Sequence, residues 1–131
     1  MPYEMQIDPT GIYLDLNYHG VVPVAERMRA ADEALQILAG SGVRRILIDL
    51  SLATAAPEDT LQDFSAFGAR ITREPLFLQS RTAFVAPRVH YVNYTIERFA
   101  DARHYPFSRF TDRAEALEWL LGDAPPLGRE D

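Results

Sequence analysis

Basic and hydroxyl side chains gather near predicted strand–helix junctions, where they could bind an anion. The segment Ala86-Pro87-Arg88-Val89-His90 follows an apolar strand, and Pro87 suits the first turn of a helix. Free N–H groups at a helix N-terminus, the helix dipole and a nearby arginine all favour an anionic group. Because ligands collect at the carboxyl ends of parallel strands, one pocket is predicted there. Its residues would be Ser51, Thr54, Arg88 and His90, with Tyr91 or Tyr94 beside them. The alternative is that Arg88 is a solvated surface charge and that the tyrosines pack with their hydroxyls in water.

The predicted helix after Pro87 is a locally basic element in an acidic chain. It carries Arg98 and Arg103, whereas the whole chain has a formal net charge of -6. Charge complementarity makes Arg98 and Arg103 candidates for docking an acidic partner protein. The alternative is an ordinary solvated helix.

Other constellations point away from catalysis and from metal binding. The three histidines are His19, His90 and His104. His90 and His104 bracket a predicted helix and are 14 residues apart, which corresponds to about 21 Å along a helix. At that distance they could not bind the same metal ion. Cysteine is absent, so thiolate metal sites and cysteine nucleophiles are excluded. Neither a nucleophile elbow nor a glycine-rich phosphate loop is present. We therefore expect no metal, no cofactor and no enzymatic activity.

Composition sets the broad class of protein. A chain of 131 residues with 47% hydrophobic and 24% charged residues is typical of one globular domain. The chain has 13 basic residues, all arginines, and 19 acidic residues. This acidic balance argues against nucleic acid or an anionic membrane as the main partner. The apolar runs are too short for a membrane span, and no signal peptide is visible. A soluble cytoplasmic protein is expected.

The first half of the chain predicts a hairpin, a helix and a buried strand. Apolar residues alternate with polar ones over 3–8 and 12–17, and the turn sequence Asp8-Pro9-Thr10-Gly11 lies between them. Helical spacing predicts a helix over about 22–39, with Arg27 and Arg29 among the residues on its polar sides. The apolar run 46–50 predicts a strand buried on both faces.

The second half predicts three more helices and two more strands. Pro57 is expected to open a helix with Glu58 and Asp59 in its first turn, and Pro75 bounds it. Strands follow at 82–86 and 107–110, separated by the helix after Pro87. Thr111 is predicted to cap the last helix, on which Trp119 packs at the sheet rim or, alternatively, forms an interface. The order is β-β-α-β-α-β-α-β-α, with parallel pairing among the last three strands and a frayed tail over 122–131.

Two segments together resemble a known family. A strand ends in Asp49-Leu50-Ser51, and the segment 109–120 reads as a strand ending in Phe-Thr-Asp before a helix containing Glu-Ala-Leu-x-Trp-Leu. This combination resembles the SpoIIAA-like branch of the STAS domains, which are also grouped with Sec14-like folds. The resemblance implies one α/β domain over 1–121, with a mixed four- to five-stranded sheet and about four helices. It also implies a non-enzymatic regulatory or protein-interaction module. We expect this module to be either a monomer or a homodimer. The alternative it leaves open is a small anionic or amphiphilic ligand, a lipid or a nucleotide, at the C-terminal edge of the sheet.

One departure from the family pattern concerns regulation. Related anti-sigma-factor antagonists are phosphorylated on a serine at the start of the second helix. Here the matching stretch, 56–60, reads Ala-Pro-Glu-Asp-Thr, so that serine is missing. Thr60 is the nearest hydroxyl and is expected inside the helix, which puts phosphoregulation of this kind in doubt.

Overall fold

The computed structural model describes residues 2–86 and 107–122, and these form five strands and four helices. The strands are β1 (Tyr3–Ile7), β2 (Leu14–Val22), β3 (Arg45–Ala55), β4 (Arg81–Val85) and β5 (Phe107–Phe110). The helices are α1 (Val24–Ser41), α2 (Leu61–Ile71), α3 (Pro75–Leu78) and α4 (Arg113–Leu121). The predicted α/β class with one mixed sheet is confirmed. The predicted helix after Pro87 and most of the predicted tail lie outside the described residues. Within those residues, no helix combines the length and the apolar character that crossing a membrane requires.

The five strands form one sheet in sequence order, β1-β2-β3-β4-β5. Strands β1 and β2 are antiparallel, in register from Tyr3 opposite Tyr18 to Ile7 opposite Leu14. The pairs β2–β3, β3–β4 and β4–β5 are all parallel. The predicted hairpin and the predicted parallel pairing of the last three strands are therefore confirmed.

The carboxylate of Asp8 organises the turn between β1 and β2. Its Oδ1 accepts hydrogen bonds from the backbone N–H groups of Ile12 and Tyr13 at 3.0 and 3.1 Å. Its Oδ2 accepts from the backbone N–H and the hydroxyl of Thr10. The turn closes as the Gly11 N–H donates to the Asp8 carbonyl at 2.8 Å, and Gly11 has a φ of 78° that favours glycine. The turn predicted from these residue types is confirmed.

The larger core lies between the sheet and the helices α1, α2 and α3. Alternation along each strand sends every second side chain to this face, so the period-two pattern decides which residues are buried. The members from the strands include Leu14, Leu16, Tyr18, Ile46, Leu50 and Phe84, and those from the helices include Ala30, Ala34, Leu38, Phe64, Phe67, Ile71 and Phe77.

The smaller core lies on the opposite face of the sheet, under α4. Its buried members are Leu47, Ala83, Val85, Ala116 and Leu120. Trp119 packs beside this cluster: its ring centroid lies 5.7 Å from that of Phe110, and the Arg81 guanidinium lies 4.0 Å from the indole centroid. In the described structure Trp119 therefore has the packing role that the sequence predicted as the first alternative.

Strand β3 is longer than the sequence predicted. The apolar run ended at Leu50, but the strand continues to Ala55 because β2 also extends to Val22 and pairs with it. The ladder supplies the backbone hydrogen bonds that a loop would have had to find elsewhere. The segment predicted as a turn is therefore mostly strand.

Helix α2 starts later than predicted. Pro57 belongs to a turn, closed where the Asp59 N–H donates to the Ala56 carbonyl at 3.1 Å. The helix begins after Thr60, whose Oγ1 accepts from the Asp63 N–H at 3.1 Å, while the Asp63 carboxylate accepts from the Thr60 N–H at 2.8 Å. This capping box satisfies two otherwise free N–H groups and so outweighs the preference of proline for a first turn. The expectation that Thr60 lies inside the helix is wrong.

The other helix ends also differ from the predictions. Helix α1 begins at Val24 because Pro23 is still extended, and it ends at a left-handed Gly42 whose N–H donates to the Leu38 carbonyl at 3.2 Å. Asp112, not Thr111, caps α4, because its carboxylate accepts from the Glu115 N–H at 3.2 Å. The short helix α3 was not predicted.

Candidate functional site

Only two residues of the predicted anion pocket fall within the described structure. These are Ser51 and Thr54 on β3. The others, Arg88, His90, Tyr91 and Tyr94, lie outside the described residues, as do the predicted partner-binding residues Arg98 and Arg103.

Ser51 and Thr54 are exposed on a strand rather than placed in a loop over a pocket. The Ser51 N–H donates to Oδ1 of Asp49 at 2.9 Å, and the Thr54 hydroxyl lies 3.5 Å from the Gly20 carbonyl. The expected loop position of both residues is wrong because β3 continues past Leu50.

The ends of β2 and β3 form a two-stranded extension, which we call the ribbon and define as residues 19–22 and 52–55. Within it His19 is in register with Leu52, and Val21 with Thr54, after an irregularity that follows Asn17. The described part of β4 pairs with β3 only as far as Asp49, so the ribbon projects beyond the neighbouring strand.

The ribbon has one buried face and one exposed apolar face. Val22 and Ala53 belong to the larger core, with exposures of 1% and 6%. The opposite face carries Val21 and Leu52, which are 56% and 77% exposed. An exposed pair of large aliphatic side chains at the tip of a sheet is a candidate contact surface.

A groove lies beside the ribbon, at the start of α2. Its volume is about 420 Å³, and it is lined by Ala55, Ala56, Pro57, Asp59, Leu61 and Phe64. Asp59 is the charged residue among those that line the groove, and its charge is negative. The lining of this groove therefore does not favour an anion.

Asp59 also holds α1 in place. Pro23, at the N-terminus of α1, offers no side-chain cap, and Oδ2 of Asp59 accepts from the Val24 N–H at 2.8 Å instead. A carboxylate suits this position because the helix dipole places partial positive charge there. Asp59 thus caps α1 and not, as predicted, the helix that follows it in sequence.

A polar cluster, unpredicted as a unit, lies on the α4 face of the sheet. Arg113 Nη1 donates to Oδ2 of Asp49 and to Oδ1 of Asn17, both at 3.0 Å, and its Nη2 donates to Oδ2 of Asp15 at 2.9 Å. Burial lowers the pKa of Arg113, but its hydrogen bonds and ion pairs with Asp49 and Asp15 outweigh that effect and raise it. The cluster joins β2, β3 and α4 through a charged hydrogen-bond network.

The described residues place no metal-binding set around this cluster. Arg113 has two carboxylates and one amide as acceptors, which makes the cluster a cross-link between elements. In the described part of the chain, no group of three or more histidine or carboxylate side chains is placed to hold a metal ion. A signal for the cluster did exist in the sequence, since Asp15 and Asn17 share one strand face and Asp49 ends the next buried strand.

Comparison with known proteins finds a likeness in structure. No protein-family model and no curated protein matches this chain. The crystal structure of an uncharacterized protein of the DUF3478 family with a SpoIIAA-like fold, from Shewanella loihica PV-4, matches with a TM-score of 0.55. The match covers 90% of this chain and 91% of that chain, at 17% sequence identity. This chain has a SpoIIAA-like fold. The resemblance predicted from the sequence is thus confirmed as a fold.

Proposed function

We propose that this chain is a non-enzymatic protein-interaction module of the SpoIIAA-like, STAS type. The observation that carries the proposal is the exposed apolar face of the ribbon, formed by Val21 and Leu52. A SpoIIAA-like fold is compatible with such a role, and the cross-linking role of Arg113 leaves Asp15 and Asp49 committed to structure.

The ribbon offers backbone groups as well as side chains. Within the described residues, 52–55 pair with β2 on one side and have no strand on the other. An unpaired strand edge presents N–H and C=O groups that an incoming extended segment can bond. The edge is therefore suited to receive a strand from another protein.

The side chains indicate what that strand should be like. The exposed face carries Val21, Leu52 and Thr54, with His19 in register with Leu52, and Leu52 is the most exposed large hydrophobic residue in the described structure. We infer an extended, uncharged partner segment whose alternate apolar side chains cover Leu52. Burying one leucine side chain is worth about 1.5–3 kcal/mol, which is enough to dominate a small interface.

The alternative of an anionic or amphiphilic ligand at the C-terminal sheet edge has less support. The groove there contains Asp59, which would repel a phosphate or a carboxylate. A lipid or nucleotide bound at Ser51 and Thr54 would also have to occupy an exposed strand face instead of a pocket.

The test is a substitution of the exposed leucine. Proteins captured from the cells that make this chain are compared between the wild type and Leu52→Asp, and each differential partner is then purified and titrated. We expect dissociation constants at least about tenfold weaker for Leu52→Asp. Because Leu52 is exposed, its substitution should change the free energy of unfolding by less than about 0.5 kcal/mol.

The matched control is Leu121→Asp, which changes an exposed leucine on α4 that is 39% exposed. It should bind every partner like the wild type. Equal affinity of the wild type and Leu52→Asp for all purified partners would overturn the proposal. So would a stable dimer that Leu52→Asp dissociates, because the occupant of the ribbon would then be a second copy of the chain.

A further inference from the structure

Arg27 is a buried cation, and two of its three guanidinium nitrogens lack acceptors. The sequence places it on a polar side of α1, but its exposure is only 2%. Neither its Nε nor its Nη2 has a hydrogen-bond partner. Its guanidinium lies 4.8 Å from the centroid of the Tyr18 ring, which offers the cation an aromatic face but no hydrogen-bond acceptor. Leaving charged donors unsatisfied in a core is costly, so these two N–H groups require an explanation.

The neighbouring carboxylates do not bond the free edge of Arg27. Burial lowers the pKa of Arg27, and the electrostatic effects of Tyr18 and Asp59 only partly oppose this by raising it. Asp59, however, accepts a hydrogen bond from the Val24 N–H at 2.8 Å. Glu26 is next to Arg27 in sequence: its Oε2 lies 3.9 Å from Nη2 of Arg29, and its buried Oε1 has no hydrogen-bond partner. No described carboxylate therefore bonds the free edge of Arg27.

Arg27 also lines a cavity between the sheet and the helices. The cavity has a volume of about 40 Å³ and is otherwise walled mainly by apolar side chains, among them Leu16, Ala34, Ile46, Phe67 and Phe84. A space of this size holds about three water-sized groups. The lining thus combines one cation with hydrocarbon, which suits a small molecule with an anionic head and an apolar tail.

The two free donors define the shape of that head. In a planar guanidinium, the Nε–H and one Nη2–H are parallel and lie on the same edge. This edge fits the two oxygens of a carboxylate, in a bidentate pair that is stronger than single neutral hydrogen bonds. We propose that the cavity binds a short aliphatic carboxylate, with its oxygens on Nε and Nη2 of Arg27 and its tail against Phe67 and Phe84.

The experiment uses acetate and propionate as probes in a buffer free of other carboxylates. Binding is measured by calorimetry, and the position of the probe by nuclear Overhauser effects. We expect saturable binding, with contacts from the propionate methyl group to the rings of Phe67 and Phe84. Propionamide, which lacks the charge, and hexanoate, which is too long for the cavity, should bind at least tenfold more weakly.

Two variants and one control locate the binding site. Arg27→Met removes the donors while it keeps an unbranched side chain, and it should weaken binding about 10- to 100-fold, as expected for the loss of hydrogen bonds to a charged group. Ala34→Val fills the cavity and should abolish binding while leaving Arg27 in place. Arg29→Met, which removes an exposed arginine from the same helix, should bind like the wild type.

Several results would overturn the proposal. One is unchanged affinity in Arg27→Met, and another is the absence of any contact between propionate and the two rings in the wild type. A third is chloride binding with the same affinity as propionate at equal ionic strength, since the site would then recognise charge alone. The ring contacts are measured on the wild type, so they test the proposal even if a variant fails to fold.

Discussion

The two faces of the sheet each hold an arginine, and the two arginines are partnered in opposite ways. On the α4 face, Arg113 donates to Asp15, Asn17 and Asp49 over 2.9–3.0 Å. On the α1 face, Arg27 is almost fully buried, and its Nε and Nη2 donate to no acceptor. Hydrogen bonds and ion pairs raise the pKa of Arg113 against the effect of burial, whereas burial lowers the pKa of Arg27.

This difference separates a structural charge from a charge with spare binding capacity. Arg113 connects three elements, and removing it would leave two partly buried carboxylates without a cation. Arg27 connects no elements through hydrogen bonds, so removing it would leave no partner unsatisfied. Burial of an arginine is therefore a poor guide to its role unless its acceptors are counted as well.

The strongest test of the comparison is Arg113→Met. We expect it to lower the free energy of unfolding by about 2 kcal/mol, measured by urea denaturation at neutral pH. This value lies between the cost of losing an exposed ion pair and that of breaking a fully buried one, because the Arg113 side chain is 36% exposed and its carboxylate partners are 15% exposed.

The matched variant is Arg27→Met in a carboxylate-free buffer. It removes an unpaired cation and keeps an apolar stem, so its stability should lie within about 0.5 kcal/mol of the wild type or exceed it. If Arg27→Met were as destabilising as Arg113→Met, Arg27 would be a structural residue and the contrast between the two faces would fail.

A smaller effect is expected from Asp59→Ala, which tests the carboxylate whose field acts on Arg27. The variant loses the cap on the Val24 N–H, and such caps are worth about 1 kcal/mol. It also leaves the buried cation of Arg27 further uncompensated. We therefore expect Asp59→Ala to cost about 1 kcal/mol or somewhat more, measured by urea denaturation.

A double-mutant cycle separates these two contributions. In an Arg27→Met background, Asp59→Ala should cost less than it does in the wild type, because only the cap is lost. Asp63→Ala, which breaks the capping box of α2, is the local control and should cost the same in both backgrounds. Equal costs for Asp59→Ala in the two backgrounds would show that Asp59 does not act on Arg27.

The sequence was sufficient where local chemistry decides structure. Alternation over 3–8 and 12–17 gave the hairpin, and the residue types at 8–11 gave its turn, since both depend on near neighbours. The end of β3 was missed because it depends on pairing with a distant part of β2. The start of α2 was missed because the capping box of Thr60 and Asp63 outweighed Pro57.

The candidate site depends on contacts between residues far apart in sequence, and sequence periodicity does not predict such contacts. The acceptors Asp49 and Asp15 lie 64 and 98 positions from Arg113. The burial of Arg27 contradicts its place on the polar side of α1 and follows from how that helix packs against Tyr18. Ser51 and Thr54 were correctly placed near the sheet edge, but the strand they belong to exposes them.

The smallest expected effect on stability concerns Asp8. Like Arg113, Asp8 is a charged group whose hydrogen-bond partners are present in the structure. Burial alone would raise the pKa of Asp8, but hydrogen bonds from Thr10, Tyr13 and Ile12 lower it below the ordinary value. A carboxyl group with a depressed pKa in the folded state contributes stability above its unfolded pKa of about 3.9, and this contribution is lost as the pH falls through the folded value. We therefore expect the free energy of unfolding to decline on acidification below about pH 4, with a shallower decline in Asp8→Asn.

The control for this prediction is Glu4→Gln, which removes an exposed carboxylate from β1. Its stability should decline with falling pH as steeply as that of the wild type. An identical acid profile for the wild type and Asp8→Asn would mean that the turn hydrogen bonds do not favour the ionised form. The rule drawn from the two arginines, that a charge stabilises the fold only when its partners are present, would then not extend to carboxylates in this protein.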